Sequence, residues 1–241
     1  MSGHSKWAQI KRQKGNLDIK RGQIFTKLAN AITISVSQGG RVGDPSQNPR
    51  LRLMIEKAKA ENMPKERIAR AIERGLGRGG GSEEIEEVSY EAFGPGGAAF
   101  IIEAATDNSK RSLSQIKNIL SKNGGALVNP GSVSYLFETT GEIIAKKDNR
   151  TLDDIFLLVS QSMAQDIEDR GEEVAIYTKP EELTRVKEAL SDKLAIDSSG
   201  IIKKPLVMAN ISDPSLREKV MSLKDELEAL DDVQNVYTNL G

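Results

Sequence analysis

The stretch GLGRGGGSEE, residues 75–84, constrains the fold more than any other part of the chain. Half of it is glycine, and glycine gives up more backbone freedom on ordering than any other residue. Neither a helix nor a strand is expected to run through it, and it marks a domain boundary. The chain changes character there. Residues 1–80 hold 17 Lys and Arg against 6 Asp and Glu, a net +11, whereas the remainder carries −12 and the whole chain −1. A block of one sign steers a partner of the opposite sign, and the acidic remainder repels a polyanion.

The glycines do not make a dinucleotide site. Gly75, Gly77 and Gly80 match G-x-G-x-x-G, but that motif needs a strand before it and a helix N-terminus after it. Here it follows a helical pattern and precedes acidic residues. Composition narrows the chemistry further. There is no Cys and one His, His4, so disulfides, a cysteine nucleophile and a zinc site of Cys and His fall away. A surface hydrogen bond is the default role for His4. No run approaches the roughly 18 apolar residues of a membrane span. The N-terminus lacks the apolar region of a secretory signal, and Trp7–Gly22 is rich in Lys and Gln rather than the Ser and Arg of a transit peptide. A cytoplasmic protein with no membrane contact is expected. At 241 residues, 38% hydrophobic and 29% charged, it can bury one large core or two to three small ones.

Residues 17–75 read as three amphipathic helices. Ile24, Leu28, Ala31 and Ile32 share one face of the first, which ends at Gly39-Gly40. Asn48 and Pro49 suit the N-cap and first turn of a second, with Leu51, Met54, Ile55 and Ala58 inward. Asn62 and Pro64 precede a third, with Ile68, Ala71 and Ile72 inward. Arg67, Arg70 and Arg74 line its opposite side at i, i+3, i+7, and Arg50 and Arg52 join Lys57 and Lys59 on the outside of the second. The acids are too few to balance these bases, which favours a binding surface over a merely solvated face.

Beyond the boundary, strands and helices alternate. Strands are expected at 98–105, 133–137, 142–145, 174–178 and 233–237, with an extended segment at 201–210 that Pro205 interrupts. Helices are expected at 112–123, from Thr151 or Asp153 to about Ala164, at 180–190 and after Asp213-Pro214. The helix over 112–123 turns Leu113, Ile116, Ile119 and Leu120 inward. The fold class that follows is multidomain α+β: an N-terminal three-helix domain, then two βαβ-type, ferredoxin-like α/β domains, the third inserted in the second. The boundaries are 1–80, then 81–138 with 205–241, and 139–204 as the insertion. The second domain would pair strands 98–105, 133–137, 206–210 and 233–237.

Among the motifs, Gly94-Pro95-Gly96-Gly97 reads as a hairpin or strand-entry turn rather than an anion nest. Thr106-Asp107-Asn108 is a strand end leading into a helix cap. Tyr135 and Phe137 alternate as in a base-stacking strand, but without its glycine-and-basic context they are assigned to core packing. Asp153-Asp154 and Asp231-Asp232 sit where capping explains them. No nucleophile–His pair, phosphate loop of Gly-Lys-Ser/Thr or metal cluster is present, so an enzyme, a cofactor or a metal is not expected.

Several stretches carry a family resemblance: GHSKW, KRGQIFTKL, NPRLR, ENMP, RAIERG, YEAFGPGG, TDN with SKNGG, GSVSYLF and LDDVQNVY. In this order, over residues 2 to 240, they resemble the YebC/PmpR family. The loop VGDPSQNP and the segment MAQDIEDRGEE depart from its commoner forms. The resemblance implies a helical domain followed by two α/β domains, and a non-enzymatic regulator of gene expression that binds promoter DNA. A mitochondrial translational activator of cytochrome oxidase is a relative. That implies the alternative of a ribosome-associated factor on ribosomal or transfer RNA, which activates translation or relieves stalling at proline runs.

The residues expected to meet nucleic acid are Lys6, Trp7, Lys11, Arg12, Lys14, Lys20, Arg21, Lys27, Arg50, Arg52, Arg67, Arg70 and Arg74. The cations suit phosphate oxygens, contacts that position a protein without reading sequence. Trp7 either stacks on an unpaired base or anchors the N-terminal arm on the bundle. The third helix offers arginine but no Asn or Gln for reading base edges, although arginine alone can read guanine.

Overall fold

A computed structural model describes residues 3–78 and 84–241, with side chains from Lys20 onward. The chain divides into two compact units, residues 1–130 with 211–236 and residues 131–210 with 237–241. Among the described residues no helix is long and apolar enough to cross a membrane.

The first unit begins with α1 (Gly3–Gln38), α2 (Pro49–Ala60) and α3 (Lys65–Gly75). The first helix starts well before the expected residue 17 and runs for 36 residues, about 54 Å. Ile32 and Val36 of α1, Leu51 and Ala58 of α2, Met63, and Ile68 and Ala71 of α3 close a common core. Each large aliphatic side chain so buried contributes about 1.5–3 kcal/mol. Asn48 caps α2 as expected. Its side chain accepts from the Leu51 N–H and donates to the Ser35 carbonyl 2.8 Å away, tying the second helix to the first. Ile24, expected inward, is exposed.

Gly75 has a different role from the one expected. It is the last residue of α3 and packs against α1, where a Cβ would lie 2.6 Å from both the Thr33 carbonyl oxygen and the Val36 Cβ. Thr33 donates to the Ala71 carbonyl at 3.0 Å in the same contact. Only a glycine allows α1 and α3 this approach. Of the expected hinge, residues 79–83 lie outside the described residues.

The sheet of the first unit has the order β3-β1-β2-β8, from β1 (Glu86–Phe93), β2 (Ala99–Thr106), β3 (Ala126–Val128) and β8 (Val233–Thr238). The strands β1 and β2 form an antiparallel hairpin closed by the Gly94–Gly97 turn, as that motif suggests. α4 (Ser109–Lys122) and α7 (Pro214–Glu228) complete the layer, burying Ile116 and Leu120 with Val220, Leu223 and Leu227. Asn108 and Asp213 cap these helices through the N–H groups of Arg111 and Ser215. On α4 Leu113 is exposed, against expectation. That helix stops where Gly124 takes φ +74°, left-handed backbone that suits glycine.

The strand set differs from the expected pairing. Residues 134–136 form a 3₁₀ turn, Phe137 opens a strand of the other sheet, and 206–210 contributes only a bridge from Ala209 to Leu240. The turn leaves Tyr135 68% exposed while Phe137 is buried, so the assignment of Tyr135 to the core is corrected. Alternation of apolar residues at 133–137 reflects a turn in which only Val133 and Phe137 face inward.

The second unit holds an antiparallel sheet of order β5-β6-β4-β7, from β4 (Phe137–Lys146), β5 (Asp166–Arg170), β6 (Glu173–Thr178) and β7 (Ala195–Pro205). α5 (Leu152–Ser160) and α6 (Leu183–Ser191) cover one face, with Ile143, Ile155, Val159, Ile176, Val186 and Leu190 as core. Thr151 opens α5 through a reciprocal capping box with Asp154, and the helix ends at Ser160 rather than near Ala164. The molecule is therefore α+β, with N-terminal helices ahead of two sheets.

Candidate nucleic-acid interface

The expected basic surface separates into cations engaged by the fold and cations left over. Lys27 belongs to the first kind. It sits half-buried on α1 and its ammonium donates to the Glu228 carbonyl at 2.6 Å, at the last turn of α7. Burial lowers its pKa, partly offset by the charges of Glu228 and Asp231. Gln23 donates to the neighbouring Ala229 carbonyl at 3.0 Å. The side of α1 that carries Gln23 and Lys27 is thus fastened to the C-terminal end of α7 rather than presented to a ligand.

Arg50 and Arg52, at the start of α2, are engaged too. The Arg50 guanidinium donates to Gln38 at 2.6 Å and pairs with Glu87 of β1. Arg52 donates to the carbonyls of Pro45 and Ser46 at 3.0 and 3.1 Å, closing the loop between α1 and α2. Arg74, at the end of α3, lies 3.7 Å from Asp107.

The others converge. Arg21 of α1 and Arg67 of α3 approach the same Phe25 ring, with their guanidinium carbons 5.8 and 5.5 Å from its centroid. An aromatic face attracts cations within about 6 Å, so one ring gathers two positive side chains from separate helices. Both arginines are exposed, and neither meets a carboxylate among the described residues. Arg70, one turn from Arg67, makes only a long contact of 3.4 Å to the Glu66 carbonyl, and Lys20 is exposed one residue before Arg21. The Gly75 contact fixes α3 against α1, so the group is held at a set spacing. The expectations at Lys6, Trp7, Lys11, Arg12 and Lys14 fall on residues of α1 whose side chains lie outside the described residues.

Beside this face stands a carboxylate cluster that corrects the reading of Asp232 as a cap. Asp232, at the entry to β8, accepts from Ser112 at 2.6 Å, from Thr106 at 3.1 Å and from Arg111 at 2.9 Å. Burial pushes its pKa up, but the hydrogen bonds from Ser112, Arg111 and Thr106 and the Arg111 charge together hold it below the usual value. Asp107 accepts from the same Arg111 at 2.9 Å. Arg111 thus ties two acids together, and Asp107 joins the N-terminus of α4 to the C-terminal arginine of α3. Only the three-dimensional fold brings Asp232 to Arg111, so no local pattern announces the cluster. Among the described residues no group of three or more His, Asp or Glu could hold a metal.

Comparison with known proteins gives consistent matches along the chain. Residues 5–78 match the family model of the TACO1/YebC protein N-terminal domain, and residues 85–240 that of the TACO1/YebC second and third domain. A protein of Syntrophomonas wolfei named "Probable transcriptional regulatory protein" is 45% identical over 100% of this chain and 96% of its own. One of the same name from Persephonella marina is 45% identical over 99% of this chain and 95% of its own. The crystal structure of a conserved hypothetical protein from Aquifex aeolicus superposes with a TM-score of 0.84 at 40% identity, covering 92% of this chain and 90% of that one. With both family models matched in sequence order and relatives aligned end to end, the chain belongs to the TACO1/YebC family.

Proposed function

We propose that the protein is a non-enzymatic regulator of gene expression that binds nucleic acid through the exposed face of α1 and α3. Duplex DNA is its first target. The observation that carries this reading is the convergence of Arg21 and Arg67 on Phe25, with Arg70 and Lys20 alongside and no carboxylate neutralising them among the described residues. Forked guanidinium groups held at fixed spacing suit phosphate oxygens. Lys6, Lys11, Arg12 and Lys14, on the same helix as Arg21, extend the surface in this reading, and Trp7 supplies either a stacking ring or an anchor. Lys27, Arg50, Arg52 and Arg74 are left out of it because the fold already engages them.

DNA is favoured by the name that the relatives carry, which refers to transcription. RNA is the second reading, favoured by the family resemblance of the sequence, which takes in a mitochondrial translational activator of cytochrome oxidase. Crosslinking in cells followed by sequencing separates them. Promoter fragments support the first reading; ribosomal or transfer RNA supports the second. Recovery of no nucleic acid, or recovery that is unchanged by Arg67→Ala with Arg70→Ala, sinks the interface.

A further inference from the structure

The helix α4 has an exposed face that the surface described above does not use. Its sequence, SKRSLSQIKNILSK, carries four cations and no acid. Ser112, Ile116 and Leu120 point into the core, which leaves two adjacent outer stripes at i, i+4, i+7, i+11. One reads Lys110, Ser114, Lys117, Ser121; the other reads Arg111, Gln115, Asn118, Lys122. All eight are exposed. Lys110, Gln115, Lys117, Asn118 and Lys122 have no side-chain partner among the described residues. Lys110 also stands in the first turn, at the positive end of the helix dipole, where a cation is unfavourable, and unlike Arg111, which pairs with Asp107 and Asp232, it meets no carboxylate among the described residues. A helix that breaks a local stability rule in this way is where function is expected.

We infer that α4 is a DNA-reading helix, its lysines on phosphates and Gln115 with Asn118 on base edges in the major groove of duplex DNA. This rests on the reading that the α1–α3 face binds nucleic acid, and adds to it the part that discriminates sequence. Gln and Asn can pair in bidentate fashion with the N6 and N7 of adenine, a contact that the arginines of α3 do not supply. Fourteen residues make a rod of about 21 Å, and an α-helix fits the major groove of B-DNA. A-form RNA has too deep and narrow a major groove for side chains to read, and single-stranded RNA is held largely by aromatic stacking. Neither stripe has an aromatic residue. Asp107 joins the start of α4 to the end of α3, the helix that carries Arg67 and Arg70, since it lies 2.9 Å from Arg111 and 3.7 Å from Arg74. Its charge, like that of Asp232, is already met by these arginines, so it does not repel the phosphates beside it.

The test is selection of preferred duplexes from a randomised DNA library with the full-length protein. Affinity for selected and unselected duplexes is then measured for wild type, for Gln115→Ala with Asn118→Ala, and for Lys110→Ala with Lys117→Ala. The amide pair is expected to lower the preference for the selected duplex by about tenfold or more while leaving affinity for unselected DNA within about twofold. The lysine pair is expected to weaken binding to both and to flatten the salt dependence by the equivalent of about two phosphates. All four positions are exposed, so thermal melting should stay at the wild-type value. Wild-type binding that depends on Arg67 and Arg70 but not on these four residues overturns this inference and leaves the α1–α3 reading standing. Absence of any nucleic-acid binding by wild type overturns both. Dependence on Gln115 and Asn118 for a structured RNA but not for duplex DNA overturns the assignment to DNA.

Discussion

Both units are rich in charge, yet they use it differently. In the second unit, residues 131–210 hold 10 Lys and Arg against 15 Asp and Glu. On its open sheet face, cations are spent on acids. Arg170 donates to Glu142 at 3.0 Å and to the Tyr177 hydroxyl at 2.8 Å; Lys204 pairs with Asp166 at 3.3 Å over the Tyr177 ring. Tyr177 in turn donates to Glu168. Burial and that hydrogen bond raise the tyrosine pKa, so the hydroxyl stays protonated at neutral pH. In the helical part of the first unit the acids run out, and Arg21, Arg67 and Arg70 are left with one ring and one backbone oxygen. A net charge of +11 therefore overstates the binding surface of the helical part: what counts is the cations that remain after the fold has used its own.

Charge reversal breaks or sharpens that contrast most strongly. Arg67→Glu with Arg70→Glu is expected to weaken DNA binding by about 100-fold at moderate salt, because two attractive phosphate contacts become repulsive. The matching reversal of Arg185 and Lys193 in the second unit should change it by less than about twofold. Fluorescence anisotropy with a labelled duplex measures both, and equal effects would erase the distinction.

Stability separates the regions next. Gly75→Ala forces a Cβ to 2.6 Å from the Thr33 carbonyl oxygen and the Val36 Cβ. A loss of about 3 kcal/mol in urea unfolding is expected, because backbone cannot yield as a flexible side chain can. Binding should fall with it, since α3 carries the arginines.

Asp232→Ala is expected to cost about 2 kcal/mol by leaving Ser112, Thr106 and Arg111 without their shared acceptor. The sign of its pH dependence follows from the depressed pKa. Its contribution is fully present above the ordinary aspartate value of about 3.9 and is lost as pH falls through the lower folded value. Melting curves of wild type and variant should therefore converge in acid; a constant gap would mean that the carboxylate charge is not what stabilises the site.

What could be read in the sequence was local. Asn48, Asn108, Thr151 and Asp213 cap helices through N–H groups two or three residues on, and the Gly94–Gly97 turn closes a hairpin between neighbouring strands. Strands with little apolar content escaped. β5 is the charged edge strand DIEDR, as edges exposed to solvent tend to be, and β1 alternates Val88, Tyr90 and Ala92 with polar residues and begins with two acids. The candidate site was legible as charge but not as geometry. Which cations stay available depends on Glu87, Asp107 and Glu228, distant in the chain from Arg50, Arg74 and Lys27. The outer stripes of α4 were present in the sequence, but its inward apolar pattern gave no reason to ask what the other face does.

The smallest effect is expected from the second unit's capping box. Thr151→Ala should lower its stability by about 1 kcal/mol, through removal of the reciprocal bonds with Asp154, and leave DNA affinity unchanged. Any coupling of that change to binding would tie the second unit to the interface.

The salt dependence of DNA binding tests the central claim most directly. Wild-type affinity is expected to fall steeply with salt. The slope should flatten by about 0.9 for each phosphate that is no longer neutralised once Arg21, Arg67 and Arg70 are replaced by alanine. A wild-type affinity insensitive to salt, or an identical slope for the triple variant, would contradict the account.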